Sequence, residues 1–295
     1  MAFFFFYPMA YGDFGKEEAA AIGPLLIIGG KEDKTGTPEI LSQLVGLIQR
    51  TQRPIHLGVV TTASQFSQQA FHTYDQTFTQ MGIHHIEPFI IESRRAANQA
   101  GWYPKLKELG ALFFVGGDQL RITSVLGGTA FAHALKDVLA EGLIIAGTSA
   151  GAAMMSTTMI VDGVGDDIAT RGAVHLVAGM GLWPHVVVDQ HFTQRGRFGR
   201  LLSVLAQNPG ILGVGIDEDT AILVDQDHQW LEVWGSQTVT LLDGWTVAET
   251  NAQNAEPSQP LILTGVTLHV LSKGYGFHLT TRQPVRVEEE GNREH

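Results

Sequence analysis

The chain has 295 residues, no cysteine, and a formal net charge of -11 from 30 acidic and 19 basic side chains. With 44% hydrophobic and 17% charged residues, its composition is that of a globular protein. The missing cysteine excludes a disulfide scaffold, a thiolate metal site and a cysteine nucleophile. The acidic balance argues against non-specific binding to nucleic acid or to an anionic membrane.

Residues 1–23 read as an N-terminal extension led by the run Phe3 to Phe6. The apolar run within residues 1–11 is shorter than the roughly 20 residues a bilayer span needs. It also lacks the basic start and small-residue cleavage site of a secretory signal, so a soluble cytoplasmic protein is expected. Apolar 25–28 predicts a strand ending in Gly29-Gly30. The spacing of Ile40, Leu41, Leu44, Val45 and Ile48 predicts a helix over 38–52, opened by Pro38. Strand 56–60, helix 65–81, strand 85–90, strand 112–115, helices 119–126 and 130–140, and strand 143–146 follow. Apolar strands separated by helices predict a parallel sheet covered on both faces, with ligands bound beyond the strands' carboxyl ends.

After residue 211 the texture changes to closely spaced strands over 211–216, 221–224, 231–233, 239–242 and 267–271, with a turn at Asp243-Gly244 and a polar loop over 251–259. These predict an antiparallel extension of the same domain. A single α/β domain over 24–285 with a charged tail over 286–295 is expected.

Strand 143–146 runs into Gly147-Thr148-Ser149-Ala150-Gly151, a G-x-S-x-G segment at a strand-to-helix junction, where a serine nucleophile is presented. A helix starting at Ala150 aims its amides at the serine, and the Ala150 N–H can hold an oxyanion. The competing reading is a tight turn whose serine only caps the helix. A serine nucleophile needs a histidine base. Among twelve histidines, His191 stands out because the apolar run 186–188 ends in Asp189-Gln190-His191, at a strand's exit. The orienting acid is expected in Asp217-Glu218-Asp219, and residue types alone do not choose among the three. The order serine, histidine, acid differs from that of the α/β-hydrolases.

Arg195, Arg197 and Arg200 sit at the start of an amphipathic helix carrying Phe198, Leu201, Leu202 and Leu205. The macrodipole favours anions at that end, so three arginines there predict a carboxylate clamp for an acidic substrate, with surface salt bridging as the alternative. Gly116-Gly117-Asp118-Gln119 follows strand 112–115. Its glycine amides are candidates for the second oxyanion donor, and Gln119 for a substrate contact. The segment GGKEDK at 29–34 is a strand-end loop without the spacing of a P-loop or dinucleotide fingerprint. No metal-ligand spacing is visible, and no cofactor or metal is expected.

Together, GGKEDK at 29–34, FVGGDQLRI at 114–122, AGTSAGAAMMS at 146–156, DDIATRGA at 166–173, DQHFTQRGRFGRLL at 189–202, GVGIDEDTA at 213–221 and TGVTLHVLSKGYGF at 264–277 resemble the cyanophycinases. These belong to the serine peptidase family that also holds the α-aspartyl dipeptidases (peptidase E). The resemblance implies a flavodoxin-like (class I glutamine amidotransferase-like) α/β fold and usually a homodimer. It implies Ser149 as nucleophile, His191 as base and Glu218 as the acid. It also implies cyanophycin, a poly-aspartate carrying arginine on its side chains, as substrate, cleaved through an acyl-enzyme to β-aspartyl-arginine. Gly117 and Ala150 are then the oxyanion donors, and Gln119, Asp189, Gln190, Arg195, Arg197 and Arg200 match the substrate-pocket pattern, with Asp189 expected to meet the substrate's arginine. The Phe-rich start matches nothing in the family. An aspartyl or isoaspartyl dipeptidase, or a non-catalytic binder of acidic peptides on the same fold, are the rival expectations.

Overall fold

The computed structural model describes residues 21–163 and 168–287; the Phe-rich start, part of the 166–173 segment and the charged tail from 288 onward lie outside the described residues. Short apolar strands alternate with helices as the hydropathy pattern requires. They are β1 (Leu25–Ile28), β2 (Leu57–Val60), β3 (Ile86–Phe89), β4 (Ala111–Phe114) and β5 (Ile144–Thr148). The helices between them are α1 (Glu39–Arg50), α2 (Ser67–Gln80), the short α3 (Arg94–Ala97) and α4 (Trp102–Lys107), α5 (Gln119–Leu126) and α6 (Ala130–Leu139). The strands lie parallel in the order β3-β2-β4-β5-β1.

Side chains alternate across this sheet with the period of two that a strand imposes. Leu26, Ile28, Leu57, Val59 and Phe113 pack against the apolar stripe of α1 and against Tyr74 and Phe78 of α2. Leu25, Ile27, Val60, Leu112 and Phe114 face the other way, onto Phe131, Leu135 and Val138 of α6. Both faces are therefore covered, which is why the strands read as unbroken apolar runs. Pro88 is accommodated because β3 is the edge strand, where a missing N–H costs no central ladder bond. The chain leaves β1 through α1 on one face and β4 through α5 and α6 on the other. The strand ends stay level: Ile28 pairs with Thr148, and Phe114 with Gly147. Residues 29, 115–117 and 149 thus emerge together at one edge.

The C-terminal part carries the expected antiparallel strands and adds a second sheet beside them. After α7 (Ala150–Ala153) come the hairpin β6 (Thr158–Gly163) and β7 (Val174–Ala178), then β8 (Val186–Gln190), helix α8 (Phe198–Gln207) and β9 (Leu212–Ile216). The strands β10 (Thr220–Asp225), β11 (Trp230–Gly235) and β12 (Thr238–Asp243) follow. The rest are the short β13 (Glu249–Thr250) and β14 (Leu263–Thr264), then β15 (Thr267–Ser272), β16 (Tyr275–His278) and β17 (Gln283–Arg286). Apart from the separate pairs β6–β7 and β13–β14, these strands divide between the antiparallel extension and a second sheet. β10, β11, β16 and β17 continue the main sheet antiparallel from β1, while β8, β9, β12 and β15 form a second sheet. Within that second sheet β8 and β9 are parallel, joined through α8 in the way parallel neighbours require. The 211–216 strand therefore has one parallel and one antiparallel neighbour. Apolar pattern sets which residues are buried; it carries no information on which sheet buries them.

Phe113 is fully buried at the centre of an aromatic cluster, 4.7 Å from the Tyr74 ring and 5.6 Å from Phe78, centroid to centroid. Its replacement by alanine removes that contact and leaves a cavity. Phe113→Ala is expected to lower the free energy of unfolding by about 3–5 kcal/mol in a denaturant titration.

Candidate active site

The G-x-S-x-G segment turns from β5 directly into α7. A Cβ on Gly147 would lie 2.3 Å from the Gly151 carbonyl oxygen, and one on Gly151 would lie 2.3 Å from the Phe114 carbonyl oxygen, so neither position admits a side chain. Between them Ser149 adopts φ 54° and ψ -109°, a conformation that L-residues visit only under constraint. The Ser149 amide donates to the Ile28 carbonyl at 3.0 Å, which ties the turn to the end of β1. Ala150 opens α7, so its amide has no acceptor within the helix.

His191 leaves β8 with φ 49°, and its amide donates to the Gly29 carbonyl at 2.9 Å. The Ser149 hydroxyl lies 2.9 Å from Nε2, and Nδ1 lies 2.8 Å from Glu218 Oε1. A proton on Nδ1, donated to Glu218, leaves Nε2 free to accept from Ser149. The neighbouring acids do other work. Asp217 is buried and accepts from the amides and hydroxyls of Thr193 and Thr238. Asp219 accepts from the Asp33 amide and the Ser236 hydroxyl. Of the three acids, Glu218 is the one that reaches the imidazole.

Several residues at this edge escaped the sequence reading. Gly30, at φ 105°, lies against the imidazole, and a Cβ there would come within 2.4 Å of His191 Cε1. Lys31 Nζ sits 2.9 Å from Glu218 Oε1, the same oxygen that faces His191. The available signal was position: GGKEDK begins where β1 ends, level with the serine turn.

The oxyanion candidates fall on either side of Ser149. A Cβ on Gly116 would sit 3.3 Å from Ser149 Cβ, so this loop passes directly over the serine, with Gly117 next in the chain. Gly117, at φ 143°, is pressed on the Ala63 carbonyl. Asp118 caps α5 by accepting from the Leu120 and Arg121 amides. Gln119 is half-buried, and its Nε2 donates to the carbonyls of Ile160 and Val161 at 2.8 and 3.3 Å. It fastens β6 to the edge of the site.

The arginine cluster requires a correction. Arg197 and Arg200 are buried and both engage Asp189, which is itself buried. Arg197 Nη1 is 3.1 Å from Asp189 Oδ1, Arg200 Nε is 2.6 Å from Oδ2, and Arg200 Nη2 closes the second contact. Arg197 also donates to the Gln190 backbone carbonyl and, at 2.9 Å, to Gln190 Oε1. Asp189 therefore does not face a substrate guanidinium as expected, because its carboxylate is spent within the protein. Buried guanidinium groups must be paired, and Asp189 pairs them. Burial pushes the Arg197 guanidinium down to about 10 against the opposing pull of Asp189. Arg195, at the end of a single 3-10 turn, is the exposed member of the cluster.

Burial lowers the His191 pKa, the hydrogen bond to Glu218 opposes that shift, and the charges of Arg195 and Arg197 reinforce it. The net effect favours the neutral ring that can accept a proton. Burial alone would raise the Glu218 carboxyl, but Lys31 and His191 outweigh it and hold the group below its ordinary value. Among the described residues no group of three or more histidines and carboxylates is placed to hold a metal, and no helix is long and apolar enough to cross a membrane.

Residues 25–231 match peptidase family S51. The chain is 36% identical over 259 residues to a cyanophycinase of Trichormus variabilis, covering 88% of this chain and 86% of that protein. It is 35% identical over 265 residues to a cyanophycinase of Synechococcus elongatus, with 88% and 80% covered. A crystal structure of a peptidase from an acI-B1 actinobacterium superposes with a TM-score of 0.65 at 21% identity, over 88% of this chain and 98% of that one, a likeness of fold.

The direction of the His191 shift has a testable consequence. Its ring should titrate below the ordinary value of about 6.5 when followed by NMR. Arg195→Gln removes a positive charge that disfavours the imidazolium, so the midpoint should move up.

Proposed function

Since the chain belongs to peptidase family S51 and is a serine-type peptidase, we propose that it hydrolyses cyanophycin from a chain end, releasing β-aspartyl-arginine through an acyl-enzyme. The observation that carries the chemistry is the line of contacts from Ser149 through His191 to Glu218, at 2.9 and 2.8 Å. The choice of substrate rests on the relatives of which 80–86% is covered by the match.

In this reading Ser149 Oγ attacks a backbone carbonyl of the polymer while His191 Nε2 takes its proton. Glu218 holds the imidazole in the right tautomer and stabilises the imidazolium that forms. The amides of Ala150 and Gly117 hold the oxyanion, where preorganised donors act most strongly. His191 then returns the proton to the departing amine. A water activated by the same ring hydrolyses the ester between Ser149 and the aspartyl residue. Arg195 meets a free carboxylate of the substrate, that of an arginyl branch or of the chain end. Gln119 and Gln190 shape the pocket, and the Arg197–Asp189–Arg200 group keeps its wall rigid. The acidic surface favours the approach of an arginine-decorated chain. A cytoplasmic homodimer completes the proposal. Light scattering on the purified protein tests the dimer.

The deciding experiment is mass analysis of the products formed from purified cyanophycin. β-Aspartyl-arginine is the expected product, and Ser149→Ala should reduce its formation by about 10⁴-fold or more. Cleavage of free aspartyl dipeptides with no action on the polymer would move the assignment to a dipeptidase. Intact polymer binding with no labelling of Ser149 by a fluorophosphonate would make the protein a binder.

A further inference from the structure

Residues 29–37 leave β1 at the sheet edge and back each member of the serine–histidine–glutamate line. Gly30 lies against the His191 ring, and Lys31 holds Glu218. The serine's counterpart is Glu32. Its side chain is 1% exposed and is met by three donors: Thr148 Oγ1 at 2.5 Å on Oε2, Tyr74 OH at 2.6 Å and Lys34 Nζ at 2.8 Å, both on Oε1. Thr148 is the residue before Ser149, and Tyr74 comes from α2. Lys34 covers the outer side, its ammonium 5.1 Å from the centre of the Tyr74 ring. Burial, reinforced by the Glu32 charge, pushes the Tyr74 hydroxyl well above 10, so it remains a donor.

A carboxylate taken out of water is tolerated only when its oxygens are matched by donors. Glu32 is so matched, yet it stands outside the proton path from Ser149 to Glu218. Its contact with Thr148 is short and charge-assisted, the strong class of hydrogen bond. It grips the peptide leading into Ser149, whose φ and ψ are both held far from the ordinary regions. We propose that Glu32 is a positioning residue that clamps Thr148 from beneath, so that Ser149 keeps its strained backbone and its hydroxyl stays aimed at His191 Nε2. Glu32 makes no contact with substrate. The GGKEDK loop is then the common backing of all three groups. This inference rests on Ser149 being the nucleophile.

Positioning errors of about 1 Å cost rates of order 10²-fold. Glu32→Gln keeps the shape but turns a donor toward a hydroxyl that needs an acceptor. With cyanophycin as substrate its kcat should fall about 10–100-fold with KM within about twofold of the parent. The rate of fluorophosphonate labelling at Ser149 should fall by the same factor. The acid limb of the pH profile should stay in place, because His191 and Glu218 are untouched. Thr148→Val should reproduce the loss, Thr148→Ser should restore most of the rate, and the Glu32→Gln, Thr148→Val double variant should be no slower than Glu32→Gln alone. A purely structural role would lower the Tm and leave kcat and labelling per folded molecule at the parent values, and that result overturns the proposal. Should Glu32→Gln fail to fold, the contrast between Thr148→Val and Thr148→Ser decides in its place. Ser149→Ala separates the two levels. If it retains activity, the nucleophile assignment fails; if it is inactive while Glu32→Gln is fully active, only the role of Glu32 fails.

Discussion

Ser149 occupies a backbone conformation that an L-residue does not hold unaided, and such conformations cost on the order of 1–3 kcal/mol each. The surrounding structure supplies what holds it. Gly147 and Gly151 allow β5, α7 and the Phe114 carbonyl to approach without side chains between them. The Ile28 carbonyl accepts the serine amide, and Glu32 takes the hydroxyl of the preceding threonine. At the turn so constrained, the hydroxyl lies 2.9 Å from His191 Nε2.

The same economy governs the other two groups. His191 and Asp219 also have positive φ, at 49° each, and each is tied by its amide to the Gly29-Gly30 carbonyls. β1 therefore serves as the shared reference. It is parallel to β5, which brings the serine, and antiparallel to β10, whose entry loop brings the glutamate. The histidine arrives from β8, in the second sheet. Three groups meet at one strand end because the amides of Ser149, His191 and Asp219, the neighbour of Glu218, are tied to the carbonyls of residues 28–30.

Charge is handled by the same logic of pairing before exposure. The arginines that look like a clamp in sequence are two buried cations on one buried aspartate, plus one exposed arginine. Buried guanidinium groups find their counter-charge inside the chain, since an unpaired one would be far costlier than the pair. Arg195 is left exposed. Its charge also lowers the basicity of His191.

Composition and periodicity determined a good deal unaided. The parallel core of five strands and its covering helices are legible because two-sided burial demands apolar runs, and helices demand a stripe. The strand-to-helix turn is legible because close backbone approach admits only glycine at 147 and 151. His191 is legible as a residue at a strand's exit. Short-range pattern does not carry partnership. Whether a strand joins the main sheet or the second one, which of Asp217, Glu218 and Asp219 faces the imidazole, and whether Asp189 points at solvent or at two arginines all depend on contacts between residues far apart in the chain. The loop 29–34 is the clearest case. By sequence it is a turn with charges; in the folded chain Gly30, Lys31 and Glu32 each back a different group, because three strands converge on the end of β1.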